Sequence, residues 1–142
     1  MSVKQLSVFA ENKNGSLYEI SKILSDSDIN IRAFSVAETQ SFGVLRLIVD
    51  NARSAALTLS DCGKIVDVTD VVGVQIPDTK GGLTDLLKVI SEKSISVEYL
   101  YAFVSTTIGH AYVILRVADN AATEKILFES GFTLLKDEDL KK

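Results

Sequence analysis

The strongest constraint on this chain is that it repeats itself. Asn12-Lys13-Asn14-Gly15-Ser16-Leu17 returns 66 residues later as Asp78-Thr79-Lys80-Gly81-Gly82-Leu83. The register persists downstream, with Ile20 matching Leu86, Ile23 matching Val89, Leu24 matching Ile90, Ile29 matching Ile95 and Ile31 matching Val97. A few extra residues in the second copy raise the offset to 69, where Asp50-Asn51-Ala52 matches Asp119-Asn120-Ala121. Self-similarity over nearly all 142 residues predicts two copies of one supersecondary unit, divided at 1–70 and 71–142. Units of this size bury little core and are marginal alone, so the copies are expected to share a sheet or pack together.

Each copy reads as β-α-β-β-α-β. Residues 4–10 alternate polar and apolar, as a half-buried strand does. A turn follows at 12–15, and Ser16-Leu17-Tyr18-Glu19 has the spacing of a capping box opening a helix. Leu17, Ile20, Ile23 and Leu24 recur at helical spacing, and this helix is expected to end within 25–28. Strands are expected from Ile29 to Glu38 and over 44–49, the latter rich in β-branched residues. Asp50 or Asn51 caps a second helix to about Asp61, Gly63 stops it, and residues 64–69 form a fourth strand. Copy two follows suit. It has strands at 71–76, 95–104, 111–117 and 132–135, and helices at 83–93 and 120–129, the second stopped by Gly131. Asp70 alone separates the copies. Adjacent pairing and right-handed crossovers turn each copy into a four-stranded antiparallel sheet with both helices on one face, an α+β, ferredoxin-like unit.

Composition removes whole classes of function. The net charge is −4 and no run of Lys and Arg breaks it, which argues against nucleic acid. RNA-recognition modules share this topology, but they need a basic surface and aromatic central strands, whereas 44–49 carries no aromatic residue. The charge run at 136–142 reads as a solvated tail. Cys62 is the sole cysteine, so neither an internal disulfide nor a paired-cysteine metal site is expected, and it reads as a small packing residue. The N-terminus has no apolar signal core and no stretch is long enough to span a bilayer, so a cytoplasmic protein is expected. His110 is the only histidine; beside Gly109 it reads as a solvent-facing turn residue, and no triad assembles around it. No phosphate-binding Gly-x-x-x-x-Gly-Lys loop and no metal-ligand cluster occurs, so no cofactor is expected.

Asn12-x-x-Gly15-x-Leu17 and Asp78-x-x-Gly81-x-Leu83 resemble the Asp/Asn-x-x-Gly-x-Leu signature of the ACT domain family, and the resemblance covers both halves of the chain. It implies a ferredoxin-like fold and regulation of amino-acid metabolism through amino acids bound where two domains meet. It implies that Asn12 and Asp78 hold the ligand's polar groups and that Gly15 and Gly81 let it approach the backbone. A residue early in the second strand, often Asn, completes the family's site from the facing domain. That residue is Asn30 in copy one, whereas copy two departs with Ser96, which weakens a second site built on that strand. Carried over, the ligand-binding residues are Asn12, Asn14, Gly15, Ser16, Leu17, Asn30 and Ile31, with Asp78, Lys80, Gly81, Gly82, Leu83 and Ser96 in copy two.

The chemistry suits that expectation. A free amino acid offers a carboxylate beside an ammonium. Unpaired amides at a helix N-terminus favour an anion. An Asn amide can serve both groups, whereas ionised Asp78 only accepts and so suits the ammonium. Gly81-Gly82 presents two successive amides with no Cβ. Equally, these glycines can do no more than make a tight turn, with Asn12 or Asp78 stabilising it. Arg32, Phe34, Tyr99, Tyr101 and Phe103 are candidates for side-chain specificity, or simply pack on the sheet. The expected protein is thus a stand-alone amino-acid sensor or regulatory subunit. It is not an enzyme, it forms a homodimer, and it acts on a metabolic enzyme in trans. Two rivals remain. One is an interaction module that binds no ligand. The other is an acylphosphatase-type hydrolase, disfavoured because the first loop carries Lys13 and Asn14 but no Arg.

Overall fold

The computed structural model describes residues 2–11, 15–38 and 42–141. Its elements run β1 (Val3–Glu11), α1 (Ser16–Asp26), β2 (Ile31–Glu38), β3 (Phe42–Val49), α2 (Ala52–Asp61) and β4 (Ile65–Pro77). Then follow α3 (Gly82–Glu92), β5 (Val97–Val104), β6 (His110–Val117), α4 (Asn120–Glu129), β7 (Thr133–Leu134) and a 3-10 turn at Asp137–Lys141. The chain divides into an N-terminal unit, residues 4–69, and a C-terminal unit, residues 70–140 with Ser2 and Val3. Each is an antiparallel α+β unit of the predicted class.

In the N-terminal unit the strand order is β2-β3-β1-β4, with residues 65–69 as its share of β4. Leu6 pairs with Leu47 and Val8 with Leu45, so the alternate apolar residues of two strands stand side by side. This face meets Ile20 and Leu24 of α1 and Ala55 and Leu59 of α2 in one buried cluster. Both helices therefore lie on one face, because period two and period 3.6 bring the same apolar stripe inward. The C-terminal unit repeats this in the order β7-β4-β6-β5, with Val72 opposite Leu115, Val74 opposite Val113, and Leu86, Ile90 and Leu127 packed on them.

The four α-helices of the described residues end alike. The residue after the cap is left-handed, and the next amide returns to a carbonyl in the last turn: Ile29 N–H to Leu24 O at 2.9 Å, and Lys64 to Leu59, Ile95 to Ile90 and Phe132 to Leu127 at 3.0 Å. The left-handed residues are Asp28 (φ 59°), Gly63 (φ 82°), Ser94 (φ 54°) and Gly131 (φ 92°). Glycine thus stops the second helix of each copy as expected, while the first helix stops on a residue that carries a side chain.

Three expectations need correction. The strands expected at 64–69 and 71–76 are one 13-residue strand, β4. Asp70 is exposed within it, and with neither Gly nor Pro there, nothing turns the backbone. Ser16 does not cap α1. Gly15 occupies the cap position, and Ser16 is the first helical residue, 7% exposed. Glu19 instead reaches Lys64, with Nζ to Oε1 at 2.9 Å. The C-terminal run at 136–142 is only partly a solvated tail: Lys136, Asp137, Glu138 and Lys141 are exposed, but Leu140 is buried at 3% exposure and anchors it, as Leu135 just before it is at 2%. Leu135 N–H donates to Gly73 O at 2.8 Å, and a Cβ on Gly73 would stand 2.7 Å from that of Leu135. The missing side chain at Gly73 is what lets the tail fold against β4.

Candidate ligand-binding site

The two kinds of helix in each unit begin differently. Asn51 Oδ1 accepts from Ser54 N–H at 3.1 Å and Asp119 Oδ1 from Ala122 N–H at 3.0 Å, so α2 and α4 carry side-chain caps. Asp50, the other candidate cap, instead accepts from Asn30 N–H at 3.1 Å. Helices α1 and α3 begin on Gly15 and Gly81, with φ, ψ of 89°, −6° and 86°, −8°, and neither has a side-chain cap. The left-handed conformation disfavours any side chain at both positions. A Cβ there would meet nothing within 4 Å, so the backbone lies open to approach. The two motif turns thus share one geometry without a side-chain cap, but Gly82 N–H already donates to Thr79 O at 3.1 Å, so Gly81-Gly82 does not offer two free amides as expected.

Asn12 and Asn14 lie outside the described residues. Leu17 and Leu83 are exposed, at 46% and 42%. Asp78 and Lys80 are exposed, and the Asp78 N–H donates to Gly109 O at 2.8 Å, which ties the second motif turn to the β5–β6 hairpin. Gly82 is buried, and a Cβ on it would fall 2.2 Å from the carbonyl oxygen of Pro77. Asn30 and Ser96 are exposed, and Ile31 packs at the margin of the core.

One unit does not bring these residues together. Glu11, at the motif end of β1, pairs with Phe42 at the start of β3, whereas Ile31 pairs with Val49 at its end. Asn30 therefore lies at the end of its unit remote from Gly15. The same holds for Ser96 and Gly81, because Pro77 pairs with His110 and Val97 with Val117. An 11-residue helix separates the two ends, about 16 Å at helical rise.

Of the specificity candidates, Phe34 is 66% exposed and Arg32, Tyr99, Tyr101 and Phe103 are half-buried. Phe103 meets Tyr112 edge-on, with ring centroids 5.3 Å apart, which is sheet packing. His110 is not a free turn residue. It opens β6 half-buried, and its Nδ1 lies 3.3 Å from Ile108 O. Cys62 is exposed rather than packed.

Each unit also has a groove beside its first helix, which sequence reading missed. In the N-terminal unit it has a volume of about 230 Å³ and runs past Phe9, Glu11, Ser16, Gly63 and Lys64. In the C-terminal unit it widens to about 550 Å³ past the matching Gln75, Pro77, Gly82, Gly131 and Phe132, and reaches Asp85, Lys88 and His110. The helix-stopping glycines, 63 and 131, were the visible signal. Their recurrence marks a turn that faces the motif turn across the same helix end. No group of three or more His, Cys, Asp or Glu placed to hold a metal occurs among the described residues. No helix among them is long and apolar enough to cross a membrane.

Comparison with known proteins agrees with this geometry. A family model described as an ACT domain pair matches residues 1–142. The solved structure of protein BT0572 from Bacteroides thetaiotaomicron is similar at 37% identity and a TM-score of 0.91, covering 100% of this chain and 97% of that one. The ligand-free regulatory subunit of aspartate kinase from Thermus thermophilus shares the fold at 14% identity and TM-score 0.66, over 90% of this chain and 91% of its own. Its counterpart from Thermus flavus does so at 12% and 0.60, over 89% and 91%. No curated protein matches. With the repeat, the fold and both glycine turns in agreement, the chain belongs to the ACT domain pair family.

Proposed function

We propose that this protein is a regulatory, non-catalytic amino-acid sensor that binds a free amino acid at its motif turns. The observation that carries this reading is the matched pair of uncapped, left-handed glycine turns at Gly15 and Gly81, against side-chain caps on the other two helices. First-turn amides favour the ligand carboxylate. The Asp78 carboxylate, its backbone already held by Gly109, is available to the ammonium.

The ligand-binding residues are those carried over from the motif, Asn12, Asn14, Gly15, Ser16 and Leu17 with Asp78, Lys80, Gly81, Gly82 and Leu83. Asn30, Ile31 and Ser96 complete the site from a facing unit, since each stands remote from the turn in its own unit. A homodimer supplies facing units. The regulatory fold of aspartate kinase subunits supports a role in amino-acid metabolism, with an enzyme as the regulated partner. The division at 1–70 and 71–142 gives one motif turn to each domain.

Melting temperatures measured against each of the twenty amino acids test the reading. A ligand that binds only the native state raises the midpoint by mass action, about 2.7 kcal/mol of stabilisation at a hundredfold excess over Kd. A selective rise that Asn12→Ala or Asp78→Ala abolishes is the expected result. No rise with any amino acid would overturn it in favour of a protein-interaction module.

A further inference from the structure

The groove of the C-terminal unit lacks the ion pair that spans its N-terminal counterpart. In the N-terminal groove Lys64 reaches Glu19, a 2.9 Å ion pair, and the Lys64 side chain is only 22% exposed. Its methylene stem is therefore held against the groove and its ammonium meets a carboxylate on the first turn of α1. The matching residues of the C-terminal unit are Phe132 and Asp85, and both line the groove. Phenylalanine brings no charge, and Asp85 makes no ion pair among the described residues. The other acid lining the groove, Glu92, has a partner in Lys88 at 3.9 Å. What remains is Asp85, outside any ion pair among the described residues while the nearby Lys88 is turned to Glu92, beside an aromatic residue in a space of about 550 Å³ where the other copy leaves about 230 Å³.

We infer that this groove binds a small alkylammonium ligand, whose charged group takes against Asp85 the place that Lys64 Nζ takes against Glu19. The alkyl stem lies along Phe132, whose ring adds cation–π attraction at close range. Gln75 and Thr133, also in the lining, offer side-chain oxygens to an ammonium that has three donors to place. Copy one thus carries its own occupant and copy two takes one from solution. The inference does not depend on the amino-acid reading, because neither Asp85 nor Phe132 belongs to the motif turns.

The test is a heteronuclear amide-shift titration of the full chain with n-butylammonium chloride at constant ionic strength, with 1-butanol as the neutral isostere. Saturable shifts confined to Gln75, Asp85 and residues 131–133, and absent with butanol, are expected. Asp85→Asn should weaken binding about fivefold, the upper end for an exposed charge pair. Phe132→Lys should supply the internal cation and suppress binding. Phe132 packs against the core, so if that variant does not fold, Asp85→Asn decides alone. Equal shifts with butanol, or unchanged affinity in Asp85→Asn, would overturn the inference. So would loss of the butylammonium shifts in Asp78→Ala, since that would assign them to the motif turn. Failure of every amino acid to bind would leave the inference standing.

Discussion

The two copies agree in their cores and differ at the first turn of their first helix. Ile20, Leu24 and Leu47 have the same role as Leu86, Ile90 and Leu115, all buried against one face of a sheet. At the helix start, copy one has the buried Ser16 and copy two the buried Gly82. Across the groove, copy one joins Glu19 to Lys64, whereas the matching residues of copy two, Asp85 and Phe132, line the groove and cannot form such a pair. The comparison teaches that a repeated unit keeps what its fold requires and varies where nothing in the core would object. The apolar stripe is fixed by close packing. The groove rim is exposed, and a rim charge costs little to gain or lose.

Gly82→Ala should break the comparison most sharply. Its Cβ would fall 2.2 Å from a backbone oxygen that cannot swing away. We expect a loss of about 3 kcal/mol, near the top of the range for forcing an atom into closed space. Ser16→Ala, at the matching place, should cost less than about 1 kcal/mol. Denaturant midpoints for both variants measure the difference, and equal losses would mean that the two turns are built alike after all.

Gly15→Ala and Gly81→Ala should each cost about 1 to 2 kcal/mol, because only the left-handed backbone is penalised and the added Cβ meets nothing. Losses that differ by more than experimental scatter would show that one turn is strained and the other is not. The reverse substitution sharpens the same point at the other end of these helices. Asp28 and Ser94 hold left-handed conformations at φ 59° and 54°, so Asp28→Gly and Ser94→Gly should each raise stability by about 1 kcal/mol or less. The smallest effect is expected for Glu19→Gln. Its ion pair with Lys64 is exposed on the Glu19 side, and thermal unfolding should register about 0.5 kcal/mol or less. A larger loss would make that pair a structural tie of copy one rather than a cover over its groove.

Much of this was legible before any coordinates. The helix over 120–129 and its stop at Gly131 agree with α4, and Asn51 is one of the two caps named for α2. The misses have local causes. Ser16 and Glu19 fit a capping box in spacing, but Gly15 in the left-handed region takes the cap position and moves Ser16 inward. The tail at 136–142 is charged enough to look solvated, yet Leu140 turns inward once a 3-10 turn forms and Lys136 N–H donates to Asp139 Oδ2 at 2.9 Å. The motif turns were visible as motifs. That Asn30 and Ser96 stand at the opposite ends of their units from those turns was not, because it follows from strand register.

The sequence by itself determined the repeat, the order of elements and the faces they bury, since periodicity and glycine placement act within a few residues of where they are written. Tertiary structure alone decided the rest. It joined two expected strands into β4, and it placed Lys64 against Glu19, 45 residues away in sequence. It also left a wider groove in one unit than in the other. Those outcomes depend on which residues far apart along the chain come within a few ångströms, and short-range pattern carries no record of distance across a sheet.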